Sequence, residues 1–373
     1  MYRFLKKIKG IINYSPLSNI NLKIALVTKE FERTNYGGAG IHVTHLFHAL
    51  QSISTLSVQI ISIHELQYQD YRGHANIDIF HCHTWYSFEA GMQFKELYQK
   101  KLLLTFHSVE KKRPWKINQV GEKKHLYICE LEKRAAQLAD GIIAVSHQCK
   151  QDIIDAYEIS AHKIHVIYNG INPQMQIHPI DFLFLERWNI DIKKPSILIV
   201  NRISEQKDIK FLFESLENIH ASWQILLCLN SPDDDNIYAF TKTKIQSLRK
   251  PMIWIDKFIS QKNLSSLYQI ADVFISTAKY EPYGLTTAEA IMHRCPVIAR
   301  DAGGIQEIIT QSRGGIVCPL NTSPQDFSKL VNSFLDKNTR ETFQAQIDEE
   351  KLWHWDKVAT ETSNIYFNLL NHQ

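Results

Sequence analysis

Cations, carboxylates, glycines and histidines recur in this chain directly after apolar, β-branched runs. Arg202 and Lys207 follow the run "SILIVN" (196–201). A guanidinium is a planar fork of donors and an ammonium is a point charge, so the two at one strand end make a clamp for a diphosphate. Ordinary solvated cations are the alternative. In "YEPYGLTTAEA" (280–290), Glu281 and Glu289 stand eight residues apart. Pro282 and Gly284 form a turn between them, and a helix opens near Leu285 and Thr286. The free N–H groups and the dipole of a helix start bind phosphate. Glu281 then lies in the loop and Glu289 one turn into the helix, so both carboxylates can face one pocket and take different parts of one ligand. A capping loop with two solvated acids is the bland reading.

Two further stretches sit at strand ends. "NYGGAG" (35–40) contains Gly37, Gly38 and Gly40 between the first strand and the first helix. Glycines let a backbone approach an anion or a sugar closely. As a dinucleotide fingerprint the loop fails. Counting from Gly38, the third glycine position holds Val43, and no acid follows the second strand at the expected place. "HCHTW" (81–85) and "TFHS" (105–108) each put a histidine at a strand tip. His81 and His83 share a strand face and could ligate a metal, but no third ligand stands near them in sequence, so no metal is expected. His107 is placed to hydrogen-bond a polar ligand. "PDDDN" (232–236) has an Asp-x-Asp spacing but lies among loop formers and reads as a turn.

The elements that must position these residues alternate regularly. The strands are read at 23–28, 58–63, 77–82, 101–106, 141–146 and 163–168, then at 196–201, 223–229, 252–255, 272–277, 296–300 and 314–319. Helix-length amphipathic segments separate most of them. Apolar strands alternating with helices signal parallel sheets covered on both faces. The expected fold class is α/β, with two facing, doubly wound Rossmann-like domains and a cleft at their strand ends. Residues 1–20 form a basic leader. The first domain covers 21–178 and is completed by a C-terminal helix at 353–371. The second domain covers 179–352.

The 373 residues suit two domains. With 44% hydrophobic and 22% charged residues, the chain is neither disordered nor fibrous. The formal charge of +3 is too balanced to argue for nucleic acid as a partner. The six scattered cysteines fit reduced thiols and a cytoplasmic setting. In the leader, Phe4, Leu5, Ile8, Ile11 and Ile12 share a helical face, with Arg3, Lys6, Lys7 and Lys9 mostly opposite, a pattern suited to weak association with an anionic membrane surface. A partly ordered leader is the plainer reading.

Taken together, these residues resemble the family 4 glycosyltransferases, retaining enzymes of the GT-B fold whose signature is the Glu281-x7-Glu289 element. "YGGAGIHVTHL" (36–46), "HCHTWYSFEAG" (81–91) and "TFHSVEKKRPWKINQVG" (105–121) narrow the likeness to bacterial glycogen synthases, including those that make maltose 1-phosphate from ADP-glucose and glucose 1-phosphate. The resemblance implies a nucleotide-sugar donor lying against Gly37, Gly38 and the N–H groups near Gly284, Leu285 and Thr286. It implies that His107 and Glu281 contact the transferred sugar, that Arg202 and Lys207 hold the diphosphate, and that Glu289 takes the ribose. Arg113, Trp115 and Lys116 would face the acceptor, a sugar phosphate, an α-glucan or another saccharide. The cations Lys111, Lys112, Arg113 and Lys116 suit an anionic acceptor, and Trp115 offers a flat face to a sugar. No cofactor or metal is implied. Where the family carries "EYPP" this chain has "EFER" (30–33), and "EKKHLY" (122–127) replaces the usual glycines. A surface-polysaccharide or glycolipid transferase using a UDP- or GDP-sugar therefore stays open. A nicotinamide-dependent oxidoreductase is disfavoured by the failed glycine fingerprint, and a non-catalytic binding protein by the retained cations and carboxylates.

Overall fold

A computed structural model of the chain describes residues 21–32, 37–63, 73–172 and 177–371. The basic leader with its membrane-surface expectation, and Asn35 and Tyr36 of the glycine loop, lie outside the described residues.

Two six-stranded, all-parallel sheets form the scaffold. The first consists of β1 (Leu22–Thr28), β2 (Leu56–Ser62), β3 (Ile79–His83), β4 (Lys101–Phe106), β5 (Gly141–Ala144) and β6 (Ile164–Val166), in the order β2-β1-β3-β4-β5-β6. The second consists of β7 (Ser196–Arg202), β8 (Gln224–Asn230), β9 (Met252–Trp254), β10 (Val273–Ser276), β11 (Val297–Arg300) and β12 (Gly315–Cys318), in the order β12-β11-β10-β7-β8-β9. Each central strand is buried on both faces, as "ALVT" in β1 and "ILLCL" in β8 require. In both sheets the order reverses at the first strand, β1 or β7. Such a switch point opens a crevice at the carboxyl ends of the strands. The register aligns His83 with Thr105, so β3 and β4 end side by side and present their histidines together.

All twelve expected strands form, with bounds shifted by a few residues at most. One helix that the sequence reading passed over, His147–Tyr157, lies between β5 and β6. Ser146 caps it by accepting a hydrogen bond from Cys149 N, and Cys149, Ile153, Ala156 and Tyr157 form its buried stripe. All six cysteines are free thiols. Among the described residues, no helix is long and apolar enough to cross a membrane.

The last helix, Trp355–Asn371, returns to the first sheet and packs with the helix Gly38–Gln51. Its Trp355, Val358, Ala359, Ile365 and Tyr366 join Ile24, Leu26, Val43, Leu46 and Ile79 in one core. The chain crosses between the sheets twice, and the crossings run side by side: Ile171 bridges to His354, and Ile171 N donates to Trp353 O at 2.7 Å. Gly170 makes this possible, because a Cβ there would lie 2.7 Å from the Trp355 ring and 2.8 Å from its backbone nitrogen. Trp355 is 5% exposed and meets His42 edge-on and His45 face-on. Trp355→Ala is expected to destabilise the protein by about 3–5 kcal/mol, the cost of truncating a buried Trp to Ala, read as a lower denaturant midpoint. An unchanged midpoint would show that the last helix is not part of the first domain's core.

Candidate functional site

The loops at the carboxyl ends of the two sheets touch across the cleft. Val109 N donates to the Tyr280 hydroxyl at 2.9 Å, and the Tyr283 hydroxyl donates to Asn169 O at 2.8 Å. His147 N and Gln148 N donate to the Glu307 carboxylate at 3.0 and 2.8 Å. Gly38 and Leu285 also meet here: a Cβ on Gly38 would lie 3.3 Å from Leu285 Cδ1. The glycine loop of the first domain thus rests on the helix start of the second. Gly284 caps that helix, Leu285–Met292, in the left-handed region at φ 104° and supplies no side chain, so Leu285 and Thr286 lead the helix with their N–H groups.

The two cations take different partners. Arg202 ends β7, and its Nη1 is 3.2 Å from Asp233 Oδ1, with the side chain 41% exposed. Lys207 closes the 3-10 turn Glu205–Lys207, which Ser204 caps, and its ammonium pairs with the Glu281 carboxylate. This pair is largely buried, at 14% and 13% side-chain exposure. Glu281 is fixed from its backbone: its N–H donates to Ala302 O at 2.7 Å, and its carbonyl accepts from Gly304 N at 2.9 Å. Glu289, on the helix, accepts from the Tyr268 hydroxyl at 3.0 Å, and burial pushes its carboxyl up to about 7. Glu281 and Glu289 thus have separate partners, one a cation and one a phenol.

The histidines sort themselves differently from the strand-face expectation. His81 spends both ring nitrogens on structure, at 2.8 Å to the Tyr366 hydroxyl and 2.7 Å to Thr105 Oγ1. It is therefore not half of a chelating pair with His83. His83 turns to His107 instead, with Nδ1 3.3 Å from His107 Nε2, and His42 packs its ring 4.6 Å from that of His107. Burial lowers the pKa of all four imidazoles, His42 to about 4, so they are neutral at pH 7. His107 itself is half-buried at the cleft.

The loop after β4 carries Arg113, Trp115 and Lys116. Arg113 Nη1 reaches Glu110 Oε2 at 3.2 Å, and Nη2 reaches Gln206 Oε1 of the second domain at 3.3 Å. Glu110 N in turn donates to Glu132, whose carboxyl burial pushes up to about 8. Lys116 donates to Gln119 Oε1 at 2.6 Å, and Gln119 Nε2 crosses the cleft to Asp233 Oδ2 at 2.8 Å. The expected four-cation cluster divides. Lys111 bonds Ala156 O, and Lys112 lies 3.6 Å from both Asp152 and Asp155, so these two belong to the helix His147–Tyr157. Arg113 and Lys116 alone face Gln206, Gln119 and the Asp233 side. The Trp115 ring is not bare, because the Lys279 ammonium sits 4.8 Å from its centroid.

Sequence reasoning missed two residues here. Asp233 is more than a turn former, since it joins Arg202 to Gln119, whereas Asp234 does cap the next helix. Arg300, at the end of β11, is 8% exposed, stacks on Phe211, and bonds Asp208 Oδ2 at 2.7 Å and Thr277 O at 3.0 Å. Thr277 Oγ1 donates to Lys207 O at 2.9 Å, so Arg300 braces the turn that carries Lys207. An arginine closing the apolar run "PVIA" was the available signal.

Comparison with known proteins adds a lineage to this geometry. Residues 61–175 match the family model described as Glycosyltransferase Family 4, and residues 183–351 match that of Glycosyl transferases group 1. The chain is similar to the α-maltose-1-phosphate synthase of Mycolicibacterium smegmatis, at 27% identity over 92% of this chain and 99% of that one. Its fold is similar to that of the sucrose-phosphate synthase from Thermosynechococcus elongatus, at a TM-score of 0.77 and 20% identity, covering 95% of this chain and all (100%) of the other. It is likewise similar to Anabaena HepE in complex with UDP-glucose, at a TM-score of 0.76 and 14% identity over 93% and 100% of the two chains. Two parallel sheets facing across a cleft, with one family model on each, place this chain among the family 4 glycosyltransferases of GT-B fold.

Proposed function

We propose that the protein transfers glucose from ADP-glucose to a glucose phosphate or an α-glucan, with retained configuration at the sugar carbon. The observation that carries this reading is the arrangement around the helix start Gly284–Thr286, where Gly38, Lys207 and Glu281 converge. The near full-length likeness to a maltose-1-phosphate synthase supports the choice of donor and acceptor.

In the proposed reaction, the acceptor hydroxyl oxygen bonds to the sugar carbon as the bond from that carbon to the diphosphate oxygen breaks. The hydroxyl proton passes to the departing phosphate. Negative charge develops on the diphosphate, and Arg202, Lys207 and the helix N–H groups are preorganised to receive it. Glu281 is held by Lys207, which suits it to sugar hydroxyls rather than to attack on carbon. His107 contributes a neutral imidazole to the sugar, and Glu289 a buried carboxyl to the ribose.

Arg202 and Lys207 supply the charge that a divalent ion would otherwise bring. Turnover is therefore expected to persist in excess chelator. A complete loss that magnesium or manganese restores would overturn this metal-free reading.

A donor screen tests the substrates: ADP-, UDP- and GDP-glucose, each against glucose 1-phosphate, glycogen and a lipid-linked saccharide. ADP-glucose with glucose 1-phosphate or glycogen is the expected pair. In the same assay, Arg113→Ala should raise KM for glucose 1-phosphate several-fold and leave donor hydrolysis nearly unchanged, because a guanidinium gives phosphate charge-assisted hydrogen bonds. An unchanged KM would remove Arg113 from the acceptor site. The second reading, a surface-saccharide transferase, draws on the fold likeness to a UDP-glucose complex. Transfer from UDP-glucose to lipid without turnover of ADP-glucose would establish it.

A further inference from the structure

His42, His83 and His107 come from the first helix, the end of β3 and the residue after β4. One nitrogen of each lies within 4.8 Å of a nitrogen of each of the others. The 3.3 Å between His83 Nδ1 and His107 Nε2 is long for a hydrogen bond. It matches two imidazoles on one tetrahedral ion, whose nitrogens stand about 3.4 Å apart when each bond is about 2.0–2.1 Å. His42 Nδ1 is 2.7 Å from Asn169 Oδ1, which fixes the ring proton on Nδ1 and leaves the lone pair on Nε2. A ring N–H held by a carbonyl or carboxylate oxygen is the usual outer support of a metal-binding histidine. His83 would bind through Nδ1 and carry its ring proton on Nε2, which is buried and has no hydrogen-bond partner among the described residues. His81 is excluded, because both its nitrogens are engaged.

We propose that His42, His83 and His107 form a binding site for a borderline divalent transition-metal ion such as zinc or cobalt(II). Imidazole ligands without a carboxylate select zinc, cobalt or nickel over magnesium and calcium. The fourth position opens toward the cleft, since His107 is the half-buried member of the three. An ion here takes no part in transfer. It engages His107 and so inhibits. The inhibition rests on the proposed role of His107; the binding does not.

The test is titration of the chelator-treated full chain with cobalt(II), followed by visible absorption, with zinc then displacing it. One equivalent should give the intense bands of low-coordinate cobalt. His42→Gln and His83→Gln should each abolish them, and Asn169→Ala should weaken affinity about 10–100-fold, as loss of outer support does. His162→Gln, which alters an exposed ring, should change nothing. No such bands, or bands that survive in both histidine variants, overturns the site as adventitious binding among the chain's 17 histidines. Should the glutamine variants melt early, Asn169→Ala decides, and wild-type affinity there overturns the site. One equivalent of zinc should also suppress turnover reversibly. Cobalt binding without zinc inhibition would sustain the site and overturn the role of His107.

Discussion

Arg202→Ala and Lys207→Ala should each lower kcat by about 10²–10³-fold, the usual cost of removing one preorganised donor from developing charge. The two variants should differ in stability. Arg202 is 41% exposed, and its partner Asp233 keeps the hydrogen bond from Gln119, so its loss should cost less stability than that of Lys207. Lys207 is largely buried against Glu281, and removing one partner of a buried pair leaves the other uncompensated, at about 3–5 kcal/mol. Adding Glu281→Gln to Lys207→Ala should recover much of that stability and none of the rate. Thermal melts and single-turnover kinetics read the two quantities separately. Wild-type turnover in folded Arg202→Ala would remove it from the site, and recovered turnover in the double variant would show that Lys207 acts only through Glu281.

The scaffold was legible in the sequence because a doubly buried parallel strand has no polar face. "KIALVT", "KLLLTF" and "SILIVN" are apolar runs of strand length, too short for helices. The helix His147–Tyr157 was missed because its exposed face, with His147, Gln148, Gln151 and Asp155, masks a short apolar stripe. The site was legible where chemistry is local to one loop, as in "YEPYGLTTAEA" and "NRISEQK". It was not legible where partners lie far apart along the chain. His42 and Asn169 are 127 residues apart, and Gln119 and Asp233 are 114 apart. No spacing rule joins such residues; only the facing of two sheets does. The basic run at 111–116 misled for the same reason, since the helix that captures Lys111 and Lys112 begins more than thirty residues further on.

Gly304→Ala should lower kcat about 10²-fold without altering any group that touches the donor. Gly304 opens the helix Gly304–Ser312, and its N–H holds the Glu281 carbonyl at 2.9 Å. A Cβ at this position would lie 2.2 Å from Pro282 O and 2.9 Å from Ser146 Cβ. Backbone stands on one side and the first domain on the other, so the methyl group has no flexible neighbour to displace. The Glu281–Gly284 loop must move away by about 1 Å, which takes Glu281 and the Gly284 helix start with it. A misplacement of that size costs about 10²-fold where reaction depends on alignment. The overpacking itself should cost about 1–3 kcal/mol. Gly73→Ala is the control, because none of the described residues lies within 4 Å of a Cβ there. It should leave both rate and melting temperature unchanged. If Gly304→Ala melts earlier but turns over at the wild-type rate, the loop tolerates the shift and Glu281 does not depend on this brace for its position.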